Sequence, residues 1–166
     1  MFPTVRRVRS DEADVLRGVR LAALKESPTA FGSTYEDESR RSDTDWADRA
    51  RSGAQGVDRV TFFAVADGHV VGLVGGYRPE PNGSGAELVS MWTSPEVRRT
   101  GVARALVSEV VGWAQEAAAT TLHLWVTDGN EPAQRLYASM GFRETGERQP
   151  LPSDPRKDEI CMTLAL

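Results

Sequence analysis

Cysteine, lysine and histidine are almost missing from this chain of 166 residues. Cys161 stands alone, so no internal disulfide framework can form, which fits a reducing cytoplasm. His69 and His123 are far apart and give no metal-ligand spacing with Cys161, so no metal is expected. Lys25 and Lys157 are the only lysines, and arginine carries nearly all the positive charge. No apolar run approaches the roughly 20 residues that cross a bilayer. Arginines at 6, 7 and 9 have no apolar stretch behind them, unlike a secretory signal. A cytoplasmic protein without a membrane partner is the expectation. G-x-x-x-x-G-K-[ST], a strand-borne G-x-G-x-x-G and G-x-S-x-G are all absent, which disfavours P-loop, dinucleotide-binding and simple hydrolase readings.

What is present is an ordinary globular composition, with 40% hydrophobic and 27% charged residues. The length suits a single domain over residues 1–166 with a self-sufficient core. Twenty basic against 24 acidic residues give a net charge of −4, which disfavours nonspecific nucleic-acid binding. Any anionic ligand must be caught by a local basic patch.

Period and punctuation give the order of elements. Thr4–Arg9 reads as a strand, and Ser10 as the N-cap of a helix whose buried face holds Leu16, Val19, Ala23 and Leu24. Ser27-Pro28 stops it. Thr29–Arg41 has no clean period and reads as a loop, and Thr44–Ser52 as a helix anchored by Trp46. Val60–Ala66 is apolar on both faces, and Asp67-Gly68 turns it into a partner strand at Val70–Tyr77. Pro79–Gly85 is a loop and Glu87–Thr93 a strand. Val102, Leu106, Val110, Trp113 and Ala117 mark a helix over Val102–Ala118. Thr121–Val126 is a strand, and Pro132 and Gly141 frame a short helix. Phe142–Gly146 and Ile160–Leu166 are closing strands. A meander feeding a βαβ unit predicts a mixed sheet with helices on both faces.

The stretch Glu87–Ala105 carries the chemistry. A strand runs through a short turn into a helix, with Arg98, Arg99, Gly101 and Arg104 at the junction. A helix N-terminus offers unpaired N–H groups and about half a positive charge, Gly101 lets a ligand approach, and the arginines add charge-assisted contacts. These residues point to an anionic, pyrophosphate-like ligand. They also fit an ordinary solvated helix start.

Arg98-Arg99-Thr100-Gly101-Val102-Ala103 resembles the R/Q-x-x-G-x-G/A signature of the GNAT N-acetyltransferase superfamily. Asn130-Glu131-Pro132-Ala133-Gln134-Arg135-Leu136-Tyr137-Ala138-Ser139-Met140-Gly141-Phe142 is similar to that family's second motif, N-x-x-A-x-x-L-Y-x-x-x-G-F. The two come in order with a strand between. The resemblance implies an α/β (α+β) fold with a mixed, mostly antiparallel sheet of about seven strands. It also implies an acetyl-CoA-dependent enzyme without a metal, and a possible homodimer. Backbone amides at Arg99, Gly101, Val102, Ala103 and Arg104 would cradle the pyrophosphate, with Arg98 in the same motif. The strand backbone at Met91, Trp92 and Thr93 would pair with the pantetheine arm, and Asn130 would hold or position the cofactor. Tyr137 would sit near the thioester sulfur.

Acetyl transfer to an amine needs a base, because an alkylammonium of pKa about 10 is no nucleophile. It needs donors for the oxyanion, such as a strand N–H near Trp92, and an acid for the departing thiolate. Tyr137 is the expected acid and Glu87 the expected base, through water, with His123 as a weaker base candidate. Tyr137 equally reads as a core aromatic beside Leu136 and Met140, and Glu87 as a solvated strand-edge charge. Cys161 reads as a small core residue, so direct transfer is expected. Phe31 and Tyr35 could wall the acceptor pocket, with Glu36, Asp37 and Glu38 drawing in a cationic amine, although the same residues fit a solvated acidic loop. The acceptor is expected to be a small primary amine, with a protein N-terminus or lysine as the alternative. A non-catalytic acyl-CoA-binding module is a further alternative.

Overall fold

A computed structural model describes residues 3–80 and 83–166. Pro81 and Asn82, within the loop expected at Pro79–Gly85, lie outside the described residues. The elements run β1 (Thr4–Arg7), α1 (Ala13–Glu26), α2 (Tyr35–Ser39), α3 (Asp43–Gln55), β2 (Arg59–Ala66), β3 (His69–Tyr77), β4 (Gly85–Thr93), α4 (Val102–Glu116), β5 (Thr121–Thr127), α5 (Glu131–Ser139), β6 (Arg143–Leu151) and β7 (Asp154–Ala165).

Local chemistry sets most boundaries. Ser42 caps α3 by accepting the Asp45 N–H at 3.1 Å, and Gly56 ends that helix in the left-handed region. Asp67 and Gly68 both take positive φ, the tight turn whose twist matches the strands it joins. The α1 start differs from the expectation at Ser10. Glu12 stands just before the first helical residue, with its carboxylate committed to the Arg6 guanidinium (2.7 and 2.9 Å) and the Arg9 N–H. The expected loop at Thr29–Arg41 contains α2, which Thr34 caps by accepting the Asp37 N–H at 3.1 Å.

The seven strands form one sheet in the order β1-β2-β3-β4-β5-β7-β6. Every neighbouring pair is antiparallel except β4 and β5. Alternation along β2 sends side chains to two cores. Phe63 joins Leu73, Trp92 and Val8 beneath α1 and α3, while Val60, Phe62 and Ala64 join Leu106, Val110, Tyr137 and Phe142 on the α4/α5 side. Helix α4 lies so close to the sheet that a Cβ on Gly76 would come within 2.7 Å of the Trp113 ring. The closing hairpin is longer than the expected strands at 142–146 and 160–166. Its outer half is charged on both faces, so it has no apolar alternation. Polar contacts line it instead, among them Arg148 with Asp158 across the hairpin (3.3 Å) and with Asp128 in the turn after β5 (2.5 Å).

Candidate active site

The site begins where the sheet comes apart. β4 and β5 pair in parallel over only three rows, Gly85–Thr121, Ala86–Leu122 and Glu87–His123. Beyond them β4 runs on to Thr93 and β5 to Thr127 without pairing to each other. A bulge in β4 accompanies the split. Gly75 pairs with Val89 but Leu73 with Trp92, so three steps on β4 oppose two on β3, and Ser90 takes φ +59°. A non-glycine residue there costs about 1–2 kcal/mol, and a bulge bends its strand. The result is a β4 edge from Leu88 to Thr93, including Met91 and Trp92, whose N–H and C=O groups on the β5 side, apart from the Thr93 carbonyl that Arg98 takes, are open to an amide-bearing ligand.

The split opens toward the start of α4. Arg99 (φ 64°) and Gly101 (φ 92°) are both left-handed, which curls the backbone into the helix. The first α4 hydrogen bond runs from the Ala105 N–H to the Gly101 carbonyl, leaving the N–H groups of Val102, Ala103 and Arg104 without helical acceptors. A Cβ on Gly101 would meet open space, as a phosphate cradle requires. The arginines divide their work. Arg98 is a strut: its guanidinium bonds both Glu26 carboxylate oxygens (3.0 and 2.9 Å) and the Thr93 carbonyl (3.0 Å). The Trp92 Nε1–H also donates to Glu26 at 3.0 Å. Burial alone would raise the Glu26 carboxyl, but bonds from Ser27, Trp92 and Arg98 outweigh it and hold the group down to about 2. Arg104 donates to the Ser139 hydroxyl at 2.7 Å and ties α4 to α5. Arg99 is exposed beside this turn.

Asn130 caps α5, its side-chain oxygen accepting the Ala133 N–H at 3.4 Å, so it positions the helix that carries Tyr137. The Tyr137 ring is 5% exposed and stands edge-on to Phe142, with centroids 5.7 Å apart. Burial pushes its hydroxyl far up, so it stays protonated near neutral pH.

Glu87 and His123 face each other as partners in the last paired row, with His123 Nε2 3.9 Å from a Glu87 carboxylate oxygen. That is too long for a direct bond and suits a bridging water. Burial raises the Glu87 carboxyl, with His123 opposing and Glu159 adding to the rise. The Cys161 thiol is buried and pushed up, which removes its thiolate character.

The acceptor-side residues are placed differently from the sequence expectation. Glu38 is 1% exposed and receives Arg20 (3.0 Å), Arg49 (3.2 Å) and Arg41 (3.5 Å), so its charge is spent on protein cations. Glu36 pairs with Arg40 at 2.7 Å. Phe31 is a core residue with the Arg20 guanidinium 4.7 Å over its ring, and Tyr35 faces solvent beside Lys25. Neither lines the cavity that α1 and α3 enclose against β2, β3 and the β4 bulge. The segment from α1 to α2 is tied down across the sheet. Thr127 donates to the Thr29 carbonyl at 2.7 Å, and Ser153 to the Phe31 carbonyl. Arg20, Glu26 and the Ser90 bulge were missed from sequence. Arg20 had a signal, since it stands midway between Leu16 and Leu24 on the buried stripe of α1. Among the described residues no group of acidic, histidine and cysteine side chains could hold a metal, and no helix is long and apolar enough to cross a membrane.

The sequence profile described as the Acetyltransferase (GNAT) family matches residues 21–142. N-acetyltransferase 8 of Rattus norvegicus is 35% identical over 109 residues, which is 63% of this chain and 48% of that protein. The chain thus spans about half of that relative. The ribosomal protein bS18-alanine N-acetyltransferase of Escherichia coli (strain K12) is 27% identical over 140 residues, 83% of this chain and 93% of that protein. Among solved structures, the PaiA N-acetyltransferase from Thermoplasma acidophilum in complex with coenzyme A superposes with a TM-score of 0.80 at 16% identity, covering 100% of both chains. An acetyltransferase of the GNAT family from Streptococcus pneumoniae gives 0.82 at 20% identity over 99% of each. At such identities these two show a common fold.

Proposed function

Since the chain belongs to the GNAT acetyltransferase family, whose members are acetyl-CoA-dependent transferases, we propose that it moves acetyl from acetyl-CoA directly to the primary amine of a small molecule. We also infer a single cytoplasmic domain. The observation that carries this reading is the parallel β4–β5 pair that ends at Glu87 and His123 and leaves the β4 edge open beside the start of α4.

Each group has a task in that scheme. The N–H groups of Val102, Ala103 and Arg104, with Arg99, hold the pyrophosphate, and the β4 edge at Met91–Thr93 takes the amide-bearing arm. A water between Glu87 and His123 draws the proton from the ammonium, and the raised Glu87 carboxyl is the better base for it. The amine nitrogen then attacks the thioester carbon. A β4 N–H freed near the bulge stabilises the oxyanion. As the C–S bond breaks, the Tyr137 hydroxyl gives its proton to the thiolate. The buried tyrosine is protonated near neutral pH and so carries the proton to give.

A protein N-terminal amine is the second reading, supported by the bS18-alanine N-acetyltransferase relative. The segment over Thr29–Phe31 supports a small acceptor, because its bonds to Thr127 and Ser153 oppose the opening that a peptide would need. Calorimetric titration with acetyl-CoA tests the premise. Wild type should bind at micromolar concentrations, and Gly101→Glu, which adds a carboxylate and a Cβ at φ 92°, should not bind. Equal binding by both would remove the cradle, and no binding by well-folded wild type would remove the enzyme.

A further inference from the structure

The cavity behind the β4 bulge has a volume of about 100 Å³, several times the roughly 10–15 Å³ that one water requires. Two of the residues that line it carry buried hydrogen-bond donors without partners: Arg20 Nη1 and Trp46 Nε1. The Trp46 side chain is 2% exposed and that of Arg20 11%. Buried donors are nearly always satisfied, and two in one cavity indicate a missing acceptor. The charge around them has one sign. Arg49 also lines the cavity, and the nearby carboxylate, Glu38, is already shared among three arginines. An acceptor-only anion with two oxygens is what this wall lacks.

Position connects the cavity to the reaction. Gly75, Val89 and Ser90 line it, and Val89 stands two residues from Glu87 on the same side of β4. Gly75 keeps the floor open, since a Cβ there would come within 3.0 Å of the Val89 side chain. A small molecule whose amine meets the water at Glu87 can therefore reach its other end into the cavity. Resting on the acetyltransfer reading above, we propose that the acceptor is an amino acid-like amine bearing a carboxylate, which accepts hydrogen bonds from Arg20 Nη1 and Trp46 Nε1.

The test is a panel of amino acids with two to six carbons, α- and ω-amino, each beside its methyl ester, followed by thiol release from acetyl-CoA. A peptide with a free N-terminus and calorimetric binding of acetyl-CoA run alongside. The best acid should exceed its ester at least tenfold in kcat/KM, mostly through KM, as expected for a lost charge-assisted hydrogen bond. Trp46→Phe removes the Nε1–H, which bonds nothing in the protein, together with the five-membered ring, so its Tm is recorded beside its kinetics. It should drive the acid-to-ester ratio toward one, and Arg20→Lys should restore more of that ratio than Arg20→Met. A purely structural role would shift acid and ester alike and leave the ratio intact, which overturns the proposal. An acid-to-ester ratio near one in wild type, or no reaction with any acid while the peptide is acetylated, overturns the proposal and leaves acetyl transfer standing. Absence of both acetyl-CoA binding and thiol release overturns both.

Discussion

Replacing Glu38 by glutamine should be the most damaging single-charge change in this protein. The side chain is 1% exposed, so water screens little of what it does. Removing one partner of a buried ion pair costs about 3–5 kcal/mol because a charge is left stranded. Here the loss falls mainly on Arg20, whose side chain is 11% exposed, because Arg41 and Arg49 are 37% and 38% exposed and relax into water. Glutamine keeps one oxygen for Arg20, which returns about 1–1.5 kcal/mol. The net is about 2–4 kcal/mol. A chain of this length loses roughly 2–4 °C of Tm per kcal/mol, so the transition should fall by roughly 5–15 °C at pH 7. Thermal unfolding followed by circular dichroism measures it. The pH dependence has a fixed sign. Burial raises the Glu38 carboxyl, but Arg20, Arg49 and Arg41 together hold it below its ordinary value. Its contribution is therefore complete above that ordinary value and fades as pH falls through the lowered one. The gap between wild type and variant should close on acidification. A fall under 2 °C at pH 7, or a gap that stays constant down to pH 3, would refute the reasoning.

Two further substitutions test the chemistry. Tyr137→Phe removes an oxygen and leaves the packing against Phe142, so kcat should drop tenfold or more while acetyl-CoA affinity and Tm hold; an unchanged kcat removes the acid role. Glu87→Gln should abolish the acid limb of the kcat/KM profile, which in wild type lies above the ordinary carboxylate range because burial raises this group. The same burial disfavours the charged form in the fold, so the variant's Tm near neutral pH should not be lower than that of wild type; a surviving acid limb assigns the base elsewhere.

The elements with a clear period were legible from sequence: α4 from its four-residue steps, the β2–β3 hairpin from Asp67-Gly68, and α5 from Pro132 and Gly141. So was the turn into α4, because a glycine placed just before a helix start is a local property of a few residues. Interactions between distant segments were not legible. Glu38 looked like a solvated charge beside Asp37, since of its three partners Arg41 alone lies near it in sequence, whereas Arg20 and Arg49 reach it through the packing of α1 and α3. Phe31 and Tyr35 are both aromatic residues in one loop, and only the fold separates a core ring from an exposed one. The outer half of the β6–β7 hairpin was hidden because it has no apolar alternation to read.

The short β4–β5 ladder has a consequence for the order of events. Three rows are all that directly join one half of the sheet, β1 to β4, to the other, β5 to β7. The halves also share one core, where Val60 and Leu88 pack in the same cluster as Leu122, Leu124 and Ile160, and a donor laid along the β4 edge would add a splint on the open side of the seam. The acceptor face spans the same seam through the Thr127–Thr29 bond. If a bound donor steadies the acceptor's half in this way, linkage requires each substrate to tighten the other's binding by the same factor.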